Sequence, residues 1–218
     1  MVKITSTKDQ EHQHMKVLVY GPAGAGKTTL CSTVDDAIII SAEGGLLSLR
    51  QHDIPVIEVS SLKEVQEAYL MIAQSEECKK FKWICLDSLS EIAEVVLSTE
   101  KKVNKDPRKA YGALFDRMMD LIRSFGNLPR NVFMSAKAYE LPDSGRFIPS
   151  MPGAKLGQEL AYHFDLVFAY RVARTDDGIQ RALQTFNCGQ WEGKDRSGCL
   201  DQFEEPNLGT IQNKIINN

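Results

Sequence analysis

Short apolar runs alternate along this chain with longer segments in which apolar residues recur every three or four positions. The short runs predict buried strands, because a strand covered on both faces is apolar at consecutive positions. These predicted strands cover residues 16–20, 37–41, 55–59, 82–87, 131–136 and 164–172. Residues 180–187 are predicted to return as a hairpin partner across the Asp176-Asp177-Gly178 turn.

The longer segments predict helices. Apolar residues at positions 62, 65, 69 and 72 indicate a helix over residues 62–74. Ser88 and Glu91 form a capping box for a helix that reaches residue 100, and an Asp-Pro pair at 106–107 begins a longer helix that ends at Gly126. Further helices are predicted over residues 27–34 and 207–216, and a long loop over residues 137–157. Strands that alternate with helices indicate an α/β fold with a mostly parallel sheet and helices on both faces.

Composition adds limits to this picture. The chain is 43% hydrophobic and 25% charged, which is typical of a soluble globular protein, and no apolar run approaches the roughly 20 residues that span a bilayer. Residues 1–14 are polar and lack the apolar stretch of a signal peptide, so we expect a flexible tail before a single domain at residues 15–218, and a cytoplasmic protein. The five cysteines form no C-x-x-C pair, which favours reduced thiols. The net charge of −3 argues against a large basic face for nucleic acid, so DNA contacts would come from local loops.

A glycine-rich motif follows the first predicted strand. Its sequence is Gly21-Pro22-Ala23-Gly24-Ala25-Gly26-Lys27-Thr28, with Thr29 next. In a G-x-x-x-x-G-K-T loop, backbone N–H groups surround the phosphates of a nucleotide, the lysine neutralises the terminal phosphates and the threonine hydroxyl binds Mg²⁺. The helix predicted behind the motif favours an anion at its N-terminus. We therefore expect ATP at this loop, with Lys27 on its phosphates and Thr28 on Mg²⁺.

Two acidic residues follow predicted strands and belong to the edge of the sheet that carries this loop. Asp87 ends the strand at 82–87 and is the expected second residue of the Mg²⁺ site; its alternative role, as a helix cap, is already filled by Ser88. Glu43 follows the strand at 37–41 beside two glycines. A carboxylate there is placed to activate the water that attacks ATP, whereas the alternative is an ordinary surface turn residue.

These features resemble the RecA-type ATPases. The resemblance rests on Ala42-Glu43-Gly44-Gly45-Leu46 after one strand and Asp87-Ser88 after another, and it covers roughly residues 15–216. It implies a RecA-like P-loop NTPase fold with a late β-hairpin, and Glu43 as the catalytic base. The strand at 132–136 is similar to the one that ends in the family's phosphate-sensing Asn-Gln pair. Here Ser135-Ala136 stands in its place, which leaves Ser135 or the following Lys137 as the candidate sensor.

The resemblance also implies contacts with DNA and with other subunits. The segment 138–157 corresponds to a DNA-binding loop of RecA-like recombinases and contains Arg146, Phe147 and Lys155; a mobile surface loop is the alternative. A basic cluster before the long helix is either another DNA loop or a solvated helix junction. It consists of Lys101, Lys102, Lys105, Arg108 and Lys109. Lys194 and Arg196 are similar to a Lys-x-Arg pair that reaches the nucleotide of an adjacent subunit; an ordinary basic turn is the alternative.

A RecA core of this length looks like the phage-encoded recombinases and single-strand-annealing ATPases. The leading hypothesis is therefore a Mg²⁺-dependent, DNA-stimulated ATPase that acts in the cytoplasm of a phage-infected bacterium. It would assemble on single-stranded DNA as a filament or ring with ATP between subunits, and would have a phage single-strand-binding or replication protein as a further partner. One alternative is a nucleotide-gated interaction module that resembles a helicase loader. Another is a small-molecule kinase, which would use arginines near the late hairpin (Arg171, Arg174 and Arg181).

Overall fold

The structure is a computed structural model that describes residues 14–176 and 178–217. Ten strands of the described residues belong to one mixed sheet. They are β1 Lys16–Gly21, β2 Ala37–Ser41, β3 Val56–Glu58, β4 Trp83–Asp87, β5 Asn131–Glu140, β6 Phe147–Pro149, β7 Leu166–Thr175, β8 Gly178–Gln184, β9 Lys194–Asp195 and β10 Phe203–Glu204. The α-helices are α1 Leu62–Gln74, α2 Leu89–Val103, α3 Pro107–Gly126, α4 Ala154–Leu160 and α5 Leu208–Ile216. The predicted tail falls on residues 1–14, of which 1–13 lie outside the described residues.

The strands follow the order β10-β8-β7-β1-β5-β4-β2-β3, with β6 paired to β5 and β9 paired to β7. The pairs formed among β1, β2, β3, β4 and β5 are parallel, and so is the β1–β7 pair, which confirms the predicted α/β fold with a mostly parallel sheet. The late hairpin is also present, since β7 and β8 pair antiparallel over seven residue pairs from Ala169–Gln184 to Thr175–Gly178.

Two apolar layers cover the sheet, and the side chains of each central strand alternate between them. In β1, Leu18 and Tyr20 join the layer that contains α1, α2 and α3. Val17 and Val19 join the opposite layer, which contains α5 and the helical turn after the phosphate loop. Burial on both faces explains why these strands appear in the sequence as continuous apolar runs.

The helix boundaries confirm the capping signals. The Ser88 hydroxyl accepts a hydrogen bond from the Glu91 N–H at the start of α2, and the Asp106 carboxylate accepts one from the Arg108 N–H at the start of α3. The helix predicted over residues 27–34 is instead a short 3₁₀ helix over Thr28–Thr33. The described part of the chain contains no helix long and apolar enough to cross a membrane, and its five cysteines are free thiols.

The prediction of a long loop over residues 137–157 is wrong. Strand β5 continues to Glu140, turns back at residues 141–146 and pairs with β6, and α4 follows directly. Two interactions stabilise this segment. The apolar side chains of Ile148 and Leu156 are buried, and the Tyr20 hydroxyl donates a hydrogen bond to the Phe147 carbonyl at 2.9 Å. These partners are distant in sequence, so the local abundance of proline and glycine gave no sign of them.

Candidate nucleotide-binding site

The glycine-rich loop joins the end of β1 to the 3₁₀ helix at Thr28–Thr33, at the carboxyl edge of the parallel strands. Ligands of open α/β sheets bind at this edge. Gly24 and Gly26 have φ angles of +73° and +112°, which favour glycine over residues with a side chain. A Cβ on Gly26 would also lie 2.9 Å from the Tyr170 hydroxyl, and one on Gly21 would lie 2.9 Å from the Tyr170 Cβ. The loop therefore needs its glycines both for its backbone shape and for its contact with β7.

Lys27 lies across the mouth of its own loop. Its ammonium donates hydrogen bonds to the Gly21 carbonyl at 3.0 Å and to the Pro22 carbonyl at 2.9 Å. Burial lowers the pKa of Lys27, and the negative charges of Asp87 and Glu43 oppose that change. Because both carboxylates act on this ammonium, the three charged groups belong to one site, as the sequence predicts.

Asp87 is almost fully buried, at 4% exposure, and holds two hydroxyl groups at the end of β4. Thr28 Oγ1 donates to its Oδ2 at 2.6 Å, and Ser135 Oγ donates to its Oδ1. A hydroxyl beside a carboxylate offers the hard oxygen ligands that Mg²⁺ prefers, so Thr28 and Asp87 fit the predicted metal site. Ser135 is fully buried in β5, where its hydrogen bond fixes the orientation of the carboxylate.

Glu43 approaches the same edge from β2. The register of β2 with β4 places Ser41 opposite Asp87, and Glu43 follows two residues later. The Ser88 hydroxyl donates to Glu43 Oε1 at 2.5 Å, and the ammonium of Lys137 lies 4.0 Å from the same oxygen. Its carboxylate is about one third exposed and is held by Ser88, the residue that follows Asp87, so its position fits the predicted base.

Lys194 and Arg196 lie at the amino ends of the parallel strands, opposite the carboxyl ends that carry the phosphate loop. β9 pairs with the first residues of β7, whereas the phosphate loop follows the last residue of β1, which runs parallel to β7. The Lys194 ammonium donates to the carbonyls of Ala161 and Phe164 at 3.0 and 2.7 Å, and Arg196 forms an ion pair with Asp165 at 3.0 Å. The chain therefore does not bring this pair to its own Lys27, and a contact with the nucleotide of another subunit stays a prediction.

The late hairpin contributes two residues to this site: Tyr170, which the sequence reasoning missed, and Arg181, which it considered only for the kinase alternative. Besides the contact of Tyr170 with Gly26, Arg181 Nε donates to the Ala25 carbonyl at 3.2 Å. Val172 and Ile179 lie on the same face of the hairpin as these two residues and are exposed. No local signal could have found these contacts, because Arg181 and Ala25 are 156 residues apart.

The aromatic and basic residues of the predicted DNA loop have separate positions. The Phe147 ring stacks on Trp191 with a centroid distance of 4.1 Å, and Arg146 pairs with Glu192. Tyr20 stacks on the same tryptophan, 5.9 Å away. Phe147 and Arg146 are thus already engaged within the fold, while Lys155 is largely exposed and its ammonium lies 3.7 Å from Glu159 on the same helix.

A groove of about 610 Å³ lies between the first turns of α3 and the segment before α4. Its apolar floor contains Leu114 and Leu156, and its rim contains the acidic Asp116. Two lysines lie over aromatic rings here: Lys155 is 4.3 Å from the Phe115 centroid, and Lys101 is 5.7 Å from the Tyr111 centroid. Lys155 of the predicted DNA loop and the basic cluster at residues 101–109 therefore lie around the same groove, which we call the α3 groove. All five residues of the cluster are exposed.

A mostly parallel sheet with a glycine-rich phosphate loop after β1 and an acidic residue at the end of β4 defines a P-loop NTPase domain with a RecA-like fold. Comparison with known proteins agrees with this class. A family profile described as an AAA domain matches residues 13–197, which is most of the chain, and the chain belongs to that family.

Solved structures show the same fold. A KaiC-like protein from the hyperthermophilic archaeon Pyrococcus horikoshii superposes with a TM-score of 0.51 over 78% of this chain and 76% of its own length. The identity of the two sequences is 13%, so this likeness concerns the fold alone. No curated protein matches the chain at a significant level.

Proposed function

We propose that this chain is a Mg²⁺-dependent ATPase that works on single-stranded DNA in phage recombination or annealing. The observation that carries the ATPase part is the convergence of Lys27, Thr28 with Asp87, and Glu43 at one edge of the sheet. In this proposal, each of these groups takes part in breaking the bond to the terminal phosphate.

The chemistry follows from the position of each group. Backbone N–H groups of residues 21–28 surround the phosphates, and the Lys27 ammonium leaves its two carbonyl partners to neutralise the terminal phosphate. Thr28 and Asp87 would hold Mg²⁺, and the metal would supply positive charge that stabilises the reacting phosphate. Glu43, oriented by Ser88, accepts the proton of the attacking water.

The α3 groove supports DNA as the partner. Single strands are bound by cations along the backbone and by aromatic rings on which bases stack. Tyr111 and Phe115 supply rings, while Lys155 and the basic cluster at 101–109 supply charge. These side chains are concentrated on one surface, which supports contact with a polyanion even though the net charge of the chain is −3.

The proposed assembly places ATP between subunits. Lys194 and Arg196 lie at the sheet edge opposite the phosphate loop, so a head-to-tail arrangement would bring this pair from one subunit to the nucleotide of the next. Such a heterologous contact forms a ring or an open filament. To reach the phosphate, Lys194 and Arg196 would have to leave their present partners in the same chain.

A small-molecule kinase has less support. Two of the three arginines available to clamp donor phosphates are already engaged: Arg181 contacts the Ala25 carbonyl, and Arg171 lies over the Trp191 ring at 4.8 Å while it bonds Gln184. A nucleotide-gated module that binds a replication protein shares the ATP site with our proposal and differs only in what the α3 groove contacts.

The test is ATP hydrolysis by the purified protein at low salt, with and without single-stranded DNA. We expect DNA to raise turnover several-fold and the double variant Phe115→Ala/Lys155→Ala to lose most of that rise, because it removes one ring and one charge from the groove. Lys79→Ala, which breaks a surface ion pair with Glu76 and removes a lysine that does not line the groove, is the control. Hydrolysis that does not respond to DNA would favour the interaction module and contradict the DNA part of the proposal.

A further inference from the structure

Arg181 makes a contact with the phosphate loop that the proposed chemistry does not use. Its Nε donates a hydrogen bond to the Ala25 carbonyl at 3.2 Å. Arg181 lies in β8 opposite Val172, on the face of the late hairpin that also carries Tyr170. Burial raises the pKa of Tyr170, and the positive charge of Arg181 opposes that change, so the two side chains lie close together. The hairpin therefore reaches the loop with a cation beside a ring.

The Ala25 carbonyl needs a partner from outside the loop. Ala25 is 1% exposed, and a buried backbone carbonyl requires a hydrogen bond within the protein. The N–H of Ala25 closes a turn by donating to the Pro22 carbonyl at 3.4 Å. Arg181 supplies a donor for the carbonyl of the same residue, and a charged donor forms a stronger hydrogen bond than a neutral one.

The direction of the Ala25 carbonyl sets the direction of the next N–H. The peptide bond between Ala25 and Gly26 is trans and planar, so its C=O and N–H groups point to opposite sides. Because the carbonyl points to Arg181, the Gly26 N–H points away from it. Backbone N–H groups of a G-x-x-x-x-G-K-T loop are the donors that bind the α- and β-phosphates of a nucleotide.

Glycine at position 26 leaves this peptide free to turn over. Such a rotation changes the φ angle of Gly26, and glycine populates positive and negative φ about equally. A side chain cannot restrict the angle, because a Cβ on Gly26 would lie 2.9 Å from the Tyr170 hydroxyl. The orientation of the peptide therefore depends on a hydrogen bond from another part of the chain.

We propose that Arg181 is a positioning residue of the phosphate loop, which holds the Ala25 carbonyl so that the Gly26 N–H stays directed at the phosphates of ATP. This inference rests on the proposed ATPase function and deepens it. The reversed peptide would present the Ala25 carbonyl to the phosphates, and its partial negative charge would repel them. Since Arg181 acts on the backbone, its effect falls on the binding of phosphates that ATP and ADP share, while Glu43 acts from another strand.

Two substitutions of Arg181 separate its hydrogen bond from its charge and its packing. Glutamine carries an amide nitrogen next to Cδ, where arginine carries Nε, so Arg181→Gln keeps a donor and loses the charge. Arg181→Met keeps an unbranched apolar stem and has no donor. Arg174→Met is the matched control, because Arg174 is exposed on the same face of the hairpin, opposite Ile179.

The experiment measures the affinity of each variant for ADP and for a slowly hydrolysed ATP analogue, together with steady-state ATP hydrolysis. For Arg181→Met we expect both affinities to fall about fivefold, since a net hydrogen bond contributes roughly that factor. The KM for ATP should rise by a similar factor while kcat changes less than about twofold, because the lost contact binds ground state and transition state alike. Arg181→Gln should recover most of the affinity, and Arg174→Met should match the wild type.

Thermal melts establish that the variants are folded at the temperature of the assay. Wild-type affinity in Arg181→Met would overturn the inference and leave the ATPase proposal intact. An equal loss in Arg181→Gln would also overturn it, because the charge of Arg181 would then act on the nucleotide directly. A fall in kcat at unchanged KM would contradict a role in binding the shared phosphates. A wild-type protein that binds neither nucleotide would overturn the proposed function, and this inference with it.

Discussion

The Ser88 hydroxyl donates a hydrogen bond to Glu43 Oε1 at 2.5 Å across 45 residues of sequence. The same oxygen of Ser88 caps α2 by accepting from the Glu91 N–H at 3.4 Å. A residue that begins a helix therefore also orients the proposed base, and the orientation of Glu43 depends on α2 as well as on its own loop.

Ser88→Ala is expected to lower turnover by about tenfold, because Glu43 then loses the group that orients it toward water. The matched control is Ser61→Ala, since Ser61 caps α1 in the same way, by accepting from the Glu64 N–H at 3.2 Å, and lies outside the site. Both variants should lose about 1 kcal/mol of stability through the missing cap. Steady-state kinetics and thermal melts separate the two effects: equal turnover in the two variants would contradict the orienting role of Ser88.

Asp87→Asn is expected to abolish Mg²⁺-dependent hydrolysis while the domain stays folded. The asparagine oxygen still accepts one hydroxyl, but the negative charge that the metal requires is gone. Asp87→Ala should in addition destabilise the fold by about 1–3 kcal/mol, since it leaves the buried Ser135 hydroxyl without its acceptor. Urea unfolding of both variants, combined with turnover measured against Mg²⁺ concentration, tests this distinction; Mg²⁺-stimulated turnover in Asp87→Asn would refute the assignment.

Gly26→Ala should be more harmful than Gly24→Ala, although both glycines have a positive φ. A Cβ on Gly24 meets open space, so only backbone strain of about 1–2 kcal/mol is expected. A Cβ on Gly26 meets the Tyr170 hydroxyl at 2.9 Å as well. Thermal melts and nucleotide binding should rank the two variants, and adding Tyr170→Phe to Gly26→Ala should recover part of the loss. No recovery would show that Tyr170 does not limit this position.

Tyr20→Phe is expected to remove part of the pH dependence of stability in alkali. Burial raises the pKa of Tyr20 above its ordinary value of about 10, so the folded protein keeps a proton that the unfolded chain loses. Stability contributed by this group is therefore complete below pH 10 and falls as the pH rises further. The variant also loses the hydrogen bond from the Glu192 N–H at 2.8 Å, which costs about 1–3 kcal/mol.

Urea unfolding at pH 8 and pH 10.5, followed by tryptophan fluorescence, measures both effects. Wild type should lose more stability between the two pH values than Tyr20→Phe does. Equal losses would mean that the Tyr20 hydroxyl titrates normally in the folded protein.

Much of this molecule could be predicted from local sequence, because the relevant signals are local. The buried strands β1, β2 and β4 appear as apolar runs, and the Ser88 cap and the Asp106-Pro107 pair mark where α2 and α3 begin. The phosphate loop needs glycines at fixed spacing, and the strand order then brings Asp87 and Glu43 to the same edge.

Other parts depend on contacts between distant residues and left no local pattern. The pairing of β6 with β5 replaces the predicted loop because Ile148 is buried and Tyr20 contacts the Phe147 carbonyl. The contact of Arg181 with the Ala25 carbonyl depends on the position of the late hairpin beside β1.

The most direct test of the proposed site is to compare ATP turnover and ATP binding in wild type and Glu43→Gln. Glutamine keeps the size of the side chain and an oxygen for Ser88, but it cannot accept the proton of the attacking water. We expect the variant to bind ATP as tightly as wild type does and to turn it over at least about 100-fold more slowly. Turnover at the wild-type rate in Glu43→Gln would contradict the assignment of the base, and absence of both binding and turnover in the wild-type protein would contradict the ATPase site as a whole.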